Sequence, residues 1–224
     1  MDILQSAAQN PLFCGVCQSE LEKILRCTGA AVCKYDRGEM IMRSGQPVPK
    51  VGILLAGRVL VVHDDALGNR ALLSRLEYNE LFGLSLCVAR QCNEDIYLYA
   101  ESDCEAILMD ARRLVDGCEQ RCEVHSVLLK NALALLAGKN IALIRKQCHM
   151  ARHSLRGKLS SYLLDLASQN GTREVCVPFK RQGFADYLGV DRSALCAELS
   201  RMKRDGLLDY HLETFTLRDA LFEQ

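Results

Sequence analysis

Arg181-Gln182-Gly183-Phe184-Ala185-Asp186-Tyr187-Leu188-Gly189-Val190-Asp191-Arg192-Ser193-Ala194-Leu195-Cys196-Ala197-Glu198-Leu199-Ser200-Arg201-Met202 is the most organised stretch of this 224-residue chain. It reads as a short helix over 181–188, a turn at Gly189 and a second helix over 191–205. Asp191 stands where a side chain can accept hydrogen bonds from the free amides of a first helical turn. Phe184, Leu188 and Val190 are spaced to pack inward against Leu195, Leu199 and Met202. Arg192, Ser193, Cys196, Ala197 and Ser200 are left on the outer face. A second helix that presents its N-terminal half outward has the form that enters a major groove. Arg201, Lys203 and Arg204 lie near its end, where phosphates would pass. Helical hairpins are common, so the same pattern also suits a plain packing unit.

Charge separates this region from the rest. The chain carries 28 Lys+Arg and 28 Asp+Glu, a net of zero. Residues 144–204, however, hold 12 basic and 5 acidic side chains, leaving 16 basic and 23 acidic elsewhere. Such a split is expected of a DNA-binding module joined to a part that does not touch DNA. A solvated basic face would give the same count, because phosphate binding needs clustered charge.

Upstream, residues 122–147 form one long helix with two apolar stripes. Val124, Leu128, Asn131, Leu135, Gly138 and Ala142 make one; Leu129, Leu133, Leu136, Asn140 and Leu143 make the other. A helix with two stripes is covered on two sides. One side rests on its own domain, and a second copy of the helix is the simplest cover for the other. We assign the dimer contact to the first stripe, where Gly138 would allow close backbone approach. A helix buried within a monomer is the alternative. Further on, helices are expected over about 152–169, a strand at Val175–Pro178, and a hairpin across 207–217.

Residues 30–110 have a different texture. Met40–Met42, Val51–Leu55, Val59–His63, Ala71–Leu73, Ile96–Ala100 and Ala106–Met109 are short β-type runs. Turn signals separate them at Ser44-Gly45-Gln46-Pro47, Ala56-Gly57, Leu67-Gly68-Asn69 and Phe82-Gly83. Many short strands at near-regular spacing imply a barrel or a double-sheet roll. Before them, residues 11–29 read as one amphipathic helix, with Pro11 at its start and Gly29 at its stop. No uninterrupted apolar run reaches the roughly 18 residues of a membrane span. Met1-Asp2-Ile3-Leu4-Gln5 has no basic or apolar leader signal, so a cytoplasmic protein is expected.

Twelve cysteines is a high number. In a reducing compartment they point to metal, to redox chemistry or to simple packing. Cys14 and Cys17, with Cys27 and Cys33, form one candidate metal group, although the pair falls inside the expected helix. Cys118, Cys122 and His125 form another, since spacings of four and three share one helical face.

The whole arrangement resembles the Crp/Fnr family of bacterial regulators. The resemblance rests on Tyr35-Asp36-Arg37-Gly38-Glu39-Met40-Ile41, Ser44-Gly45-Gln46-Pro47, Gly52-Ile53-Leu54-Leu55-Ala56-Gly57-Arg58-Val59, Glu80-Leu81-Phe82-Gly83 and Asp186–Leu195. The last is similar to a version frequent in anaerobic Gram-positive bacteria. The resemblance implies an α+β chain: an N-terminal β-roll (a cupin-like double-stranded jelly roll, residues 1–121), a dimerisation helix (122–150) and a C-terminal winged helix-turn-helix (151–224). It implies a homodimer on a palindromic operator in double-stranded DNA, with RNA polymerase as a partner if it activates. By position, Arg192 is the first base reader, followed by Ser193, Cys196 and Ala197. Lys180, Arg181, Gln182, Ser200 and His211 are placed on phosphates. Ser193 stands where the family often has Glu, and Ala197 where it often has a second Arg, so the half-site should differ from the familiar one.

Cyclic-nucleotide binders of the family carry a Glu for the ribose and an Arg for the phosphate after Phe-Gly. Here Leu84 replaces the Glu, and Asn93-Glu94-Asp95-Ile96-Tyr97 supplies carboxylates and no Arg. Cyclic AMP is therefore not expected as the effector. An iron–sulfur cluster or zinc is an open alternative. An effector pocket is expected near Leu84, Ser85, Cys87, Tyr97, Tyr99, Asn131 and Leu135. The rival reading is a cysteine-based metal or redox protein whose DNA-binding part is secondary. No nucleophile elbow, P-loop or dinucleotide fingerprint is present, so catalysis is not expected.

Overall fold

The computed structural model describes residues 3–43, 50–64, 70–89, 96–115 and 123–222. The expected turns at Ser44–Pro47 and Leu67–Asn69, the Asn93–Asp95 stretch, and Cys118 and Cys122 lie outside them. Contacts divide the chain into Met1–Gly138 and Lys139–Gln224.

Among the described residues of the first unit, eight strands form two antiparallel four-stranded sheets. One sheet orders β1 (Ala31–Tyr35), β8 (Cys104–Asp110), β3 (Lys50–Ala56) and β6 (Leu81–Phe82); the other orders β2 (Met40–Arg43), β7 (Ile96–Ala100), β4 (Val59–Asp64) and β5 (Arg70–Leu76). Side-chain alternation along β3 builds two cores from one strand. Leu54 points into the space between the sheets with Leu98, Ala106 and Leu108. Val51, Ile53 and Leu55 point the other way, joining Ile107 and Met109 under a helical layer. Each such fully buried aliphatic side chain contributes roughly 1.5–3 kcal/mol. Gly52 is required because the Phe82 ring occupies the place of a Cβ.

The helical layer comprises α1 (Ile3–Ala8), α2 (Gln18–Cys27), α3 (Leu84–Val88), α4 (Ala111–Val115) and the first part of α5 (Glu123–Met150). The single helix expected over 11–29 is instead a 3-10 turn at Pro11–Phe13 followed by α2. Gly15, at φ +79°, turns the chain between them. Cys17 then caps α2, its amide donating to the Glu20 carboxylate at 3.2 Å.

Long and mostly apolar, α5 faces two ways. Leu128 and Ala132 are buried in its own unit, with Val124, Leu135 and Leu136 packed beside them. Asn131 Nδ2 donates to the carbonyls of Leu12 at 2.9 Å and Cys14 at 2.8 Å. The stripe assigned above to the dimer thus lies against the roll at Val124, Leu128, Asn131 and Leu135. Its continuation, Gly138 and Ala142, is exposed. Gly138 follows Leu129 by two and a half helical turns, which puts it on the opposite side. The second stripe is exposed at Leu129, Leu133 and Leu143, by 40%, 59% and 62%, whereas its Leu136 packs against the first unit's core. Val124–Met150 also contains an 18-residue window of mean hydropathy 1.6, long and apolar enough to cross a membrane although no uninterrupted run is. A helix covered by its own domain on one side and by a partner on the other meets the same criterion.

The second unit wraps α6 (Leu155–Asn170), α7 (Arg181–Leu188), α8 (Arg192–Arg204) and α9 (Asp219–Phe222) around one core with a three-stranded antiparallel sheet. That sheet orders β10 (Leu208–His211), β11 (Thr214–Leu217) and β9 (Glu174–Cys176). The Ser154 hydroxyl accepts from the Gly157 amide at 3.0 Å to start α6. Leu159, Leu163, Phe184, Leu188, Leu195, Leu199 and Phe215 are completely buried.

Candidate nucleic-acid interface

The α7–turn–α8 pair forms where the sequence places it. Gly189 ends α7 at φ +64°, a left-handed conformation natural to glycine. Asp191 stands at the N-cap of α8, yet its carboxylate makes no capping bond. The inward face of α8 is Leu195, Glu198, Leu199 and Met202. Outside lie Arg192, Ser193 and Ala197, all exposed, with Cys196 half-buried beside them. Ser200 turns its hydroxyl back to the Cys196 carbonyl at 2.9 Å.

Much of the local basic charge is spent internally. Arg156 on α6 binds Glu198 at 2.7 Å and Asp205 at 2.7 Å. Arg201 binds the other oxygen of Glu198 at 3.1 Å. Lys203 binds Asp209 at 2.6 Å, and Arg173 pairs with Asp219. The Arg156 bond holds the Glu198 carboxyl below the usual range against the opposing effect of burial, with Arg201 adding to it. Glu198 thus stays ionised and ties α8 to α6. Arg201 and Lys203, expected to be free for phosphates, are each shared with a carboxylate. Lys180, Arg192 and Arg204 enter no ion pair among the described residues and are exposed. Arg192 stands at the positive end of the α8 dipole, which adds to attraction for anions.

Arg181 differs from its expected role. Its Nη2 donates to the Leu212 carbonyl at 2.6 Å, and the guanidinium lies over the rings of Tyr210 and Phe215 at 5.1 and 5.2 Å. It fastens the β10–β11 hairpin to α7. Gln182 donates to Asp186 at 2.8 Å and is exposed. His211 is exposed at the end of β10, next to Leu212, a 67% exposed side chain at φ +50°. Neither Leu212 nor Arg156 was legible in the sequence. Arg156 meets its partner across 42 positions, and Leu212 carries no turn signal.

Below the hairpin of helices, His149 at the end of α5 is 4% exposed. Its Nδ1 lies 3.1 Å from the Ser161 hydroxyl and its Nε2 3.5 Å from Asp165. Burial holds the imidazole below its ordinary value, with Asp165 opposing.

In the first unit the expected effector residues do not converge. Leu84, Cys87 and Leu135 share the core under the helical layer. Ser85 is exposed, and the Cys87 thiol donates to the Lys50 carbonyl at 3.1 Å. Burial pushes that thiol up to about 11. Tyr97 and Tyr99 sit on β7 in the other sheet, stacked at 6.1 Å, with Arg70 over Tyr99. Leu98 between them faces the inter-sheet core, so both tyrosines point to the outer side of that sheet. Asn131 is occupied by its two carbonyls. The seven residues therefore separate into two places.

The cysteine groups fare similarly. Cys14 and Cys17 are exposed around the Gly15 turn, whereas Cys33 packs inward toward the inter-sheet core. Cys27 ends α2. Among the described residues, no three His, Cys, Asp or Glu side chains are grouped to hold a metal. His125 is half-buried, and among the described residues neither ring nitrogen has a hydrogen-bond partner.

Residues 32–121 match the cyclic nucleotide-binding domain family, and residues 157–220 match the Crp-like helix-turn-helix domain family. No curated protein matches at a significant level. Among solved structures, the chain is similar to the c-di-GMP responsive global regulator CLP of Xanthomonas campestris (16% identity, 88% of this chain and 98% of that one, TM-score 0.57). It is similar to OCPA-complexed CprK (17%, 91% and 94%, TM-score 0.58). FixK2 from Bradyrhizobium japonicum is a third (18%, 87% and 96%, TM-score 0.51). With a nucleotide-binding-type roll followed by a Crp-like helix-turn-helix, the chain belongs to the Crp/Fnr family of DNA-binding regulators.

Proposed function

We propose that this protein is a homodimeric, cytoplasmic transcription regulator that reads a two-fold operator through Arg192 on α8. The observation that carries this reading is the selective exposure of Arg192. Among the described residues it has no ion pair, at the N-terminus of α8 beside exposed Ser193 and Ala197, while Arg156, Arg201 and Lys203 are held by carboxylates. Arginine in that place can bond a guanine O6 and N7 together. Ala197 can add only an apolar contact, and Ser193 discriminates weakly. Lys180, Gln182 and His211 are proposed to meet phosphates, which position without reading sequence.

Homodimerisation is supported by the exposed leucines of α5, Leu129, Leu133 and Leu143. Functionally we keep residues 1–121 as sensor, 122–150 as dimer helix and 151–224 as DNA reader, with RNA polymerase a partner if the protein activates. The signal is proposed to be something other than a cyclic nucleotide. Leu84 is 4% exposed inside an apolar core, where a ribose-binding carboxylate would be needed. A bound signal would act by shifting α5 pairs between placements that suit or do not suit the operator.

Gel-shift titration over a salt series tests the proposal. The expected result is a steep fall of affinity with salt, and at least about a thousandfold preference for a selected palindrome over random duplex. Equal binding to both, or no salt dependence, would overturn it.

A further inference from the structure

The tip of the β10–β11 hairpin is built against the ordinary preferences of a turn. His211 pairs with Thr214, so the loop is the two residues Leu212 and Glu213. Leu212 has φ +50°, and among the described residues only Asn79 is another non-glycine with positive φ. Glycine, asparagine and aspartate take such a position easily, whereas leucine is crowded there by its own Cβ. Leu212 is also 67% exposed, so its side chain is left outside the core. A strained backbone under an apolar side chain that packs nowhere does not serve the fold. Yet the tip is held firmly on both sides. Arg181 donates to the Leu212 carbonyl at 2.6 Å from its seat over Tyr210 and Phe215. The Glu213 carbonyl accepts from the Val177 amide at 2.9 Å.

We infer that Leu212 is an apolar wedge that enters the minor groove of DNA beside the half-site read by α8. The inference rests on the reading of α8 proposed above and extends it to a second groove. The hairpin lies along α8: the Tyr210 hydroxyl is 3.4 Å from that of Ser200, and Asp209 binds Lys203 at 2.6 Å. With α8 in the major groove, the hairpin reaches across the phosphate strand that borders it. Exposed Lys180, next to Arg181, and exposed His211 are the phosphate partners on that path, and Leu212 is the residue beyond His211. Leucine cannot bond a phosphate, but an apolar side chain can slip between base steps and unstack them. Partly buried Glu213 follows it and narrows the choice of sequence. Its carboxylate is repelled by the narrow minor groove of an A-tract, where negative potential is concentrated. The wedge therefore suits a flexible pyrimidine–purine step such as TA, which unstacks easily. A protein partner is a poorer occupant, because a single exposed leucine offers no apolar patch.

Hydroxyl-radical footprinting and gel-shift titration of the full chain test this. The probes are duplexes carrying the palindrome selected by wild type, flanked either by TA steps or by A-tracts. Wild type should protect minor-groove sugars flanking each half-site and bind the TA-flanked duplex about fivefold more tightly. Leu212→Asn, which tolerates the left-handed turn, should melt at or above the wild-type temperature, yet lose both the protection and the preference. Leu212→Met, apolar and equally strained, should keep both. If wild type leaves those sugars unprotected, or if Leu212→Asn melts below wild type or keeps its footprint and flank preference, the inference is overturned. The reading of α8 then stands so long as wild type prefers the palindrome to random duplex. If wild type shows no such preference, the two fall together.

Discussion

The link between Arg156 and Glu198 is the test of how the reading helix is held. Glu198 is 11% exposed at its side chain, Arg156 36%, and they meet at 2.7 Å. A hydrogen bond to a charged group contributes about 1.5–3 kcal/mol, and breaking a fully buried pair costs about 3–5 kcal/mol. Arg156 is too exposed for the upper figure, and Arg201 still holds one oxygen of Glu198 when Arg156 is removed. Arg156→Met should therefore destabilise by about 1.5–2 kcal/mol. A double-mutant cycle with Glu198→Gln should give a coupling of about 1–2 kcal/mol. Because the folded carboxyl is held below its ordinary value of 4.5, its contribution is present above that value and lost as pH falls through the lowered one. Urea unfolding of the four proteins by circular dichroism, at pH 7 and again in acid, measures both effects. A coupling below about 0.3 kcal/mol at pH 7, or one unchanged in strong acid, would refute the argument.

Other outcomes follow from the same contacts. Leu135→Glu should destabilise the first unit by about 2 kcal/mol or more, since Leu135 packs against its own roll, and thermal melting would show it. Arg181→Ala should loosen the β10–β11 hairpin and raise its amide exchange, whereas Lys180→Ala should leave exchange unchanged and flatten the salt dependence of DNA binding by about one unit per half-site. His149 should be neutral in the fold: its lowered value makes stability complete above about 6.5, with loss as pH falls toward the folded value, and His149→Gln should flatten that dependence in pH-dependent melts.

What the sequence made legible was local. The bounds of α7 follow from apolar spacing and Gly189, and six of the roll strands from short β-type runs between turns. β1 escaped because Ala31–Tyr35 is an edge strand whose exposure hides the alternation. The break before α2 was missed because Leu12, Val16, Leu21 and Leu25 keep helical spacing across the Gly15 turn. For α5, periodicity gives two equivalent stripes. Asn131, reaching carbonyls 117 and 119 positions away, and the burial of Leu128 and Ala132 decide which one faces the first unit's core. Tyr97 and Tyr99 read as pocket residues beside the long helix, but strand parity sends them to the outer side of their sheet. Arg181 looked like its neighbour Lys180; the rings that claim it come from residues 210 and 215.

Selection of binding sites from random duplexes, run in parallel with wild type and Arg192→Ala, tests the central claim most directly. Wild type should enrich an inverted repeat with half-sites about one helical turn apart and a guanine in each. Arg192→Ala should lose roughly 1–3 kcal/mol on that site and relax preference at one base pair per half-site, leaving the others as stringent as before. If the variant enriches the same half-site with undiminished stringency at every position, α8 does not read through Arg192, and the account of this interface is wrong.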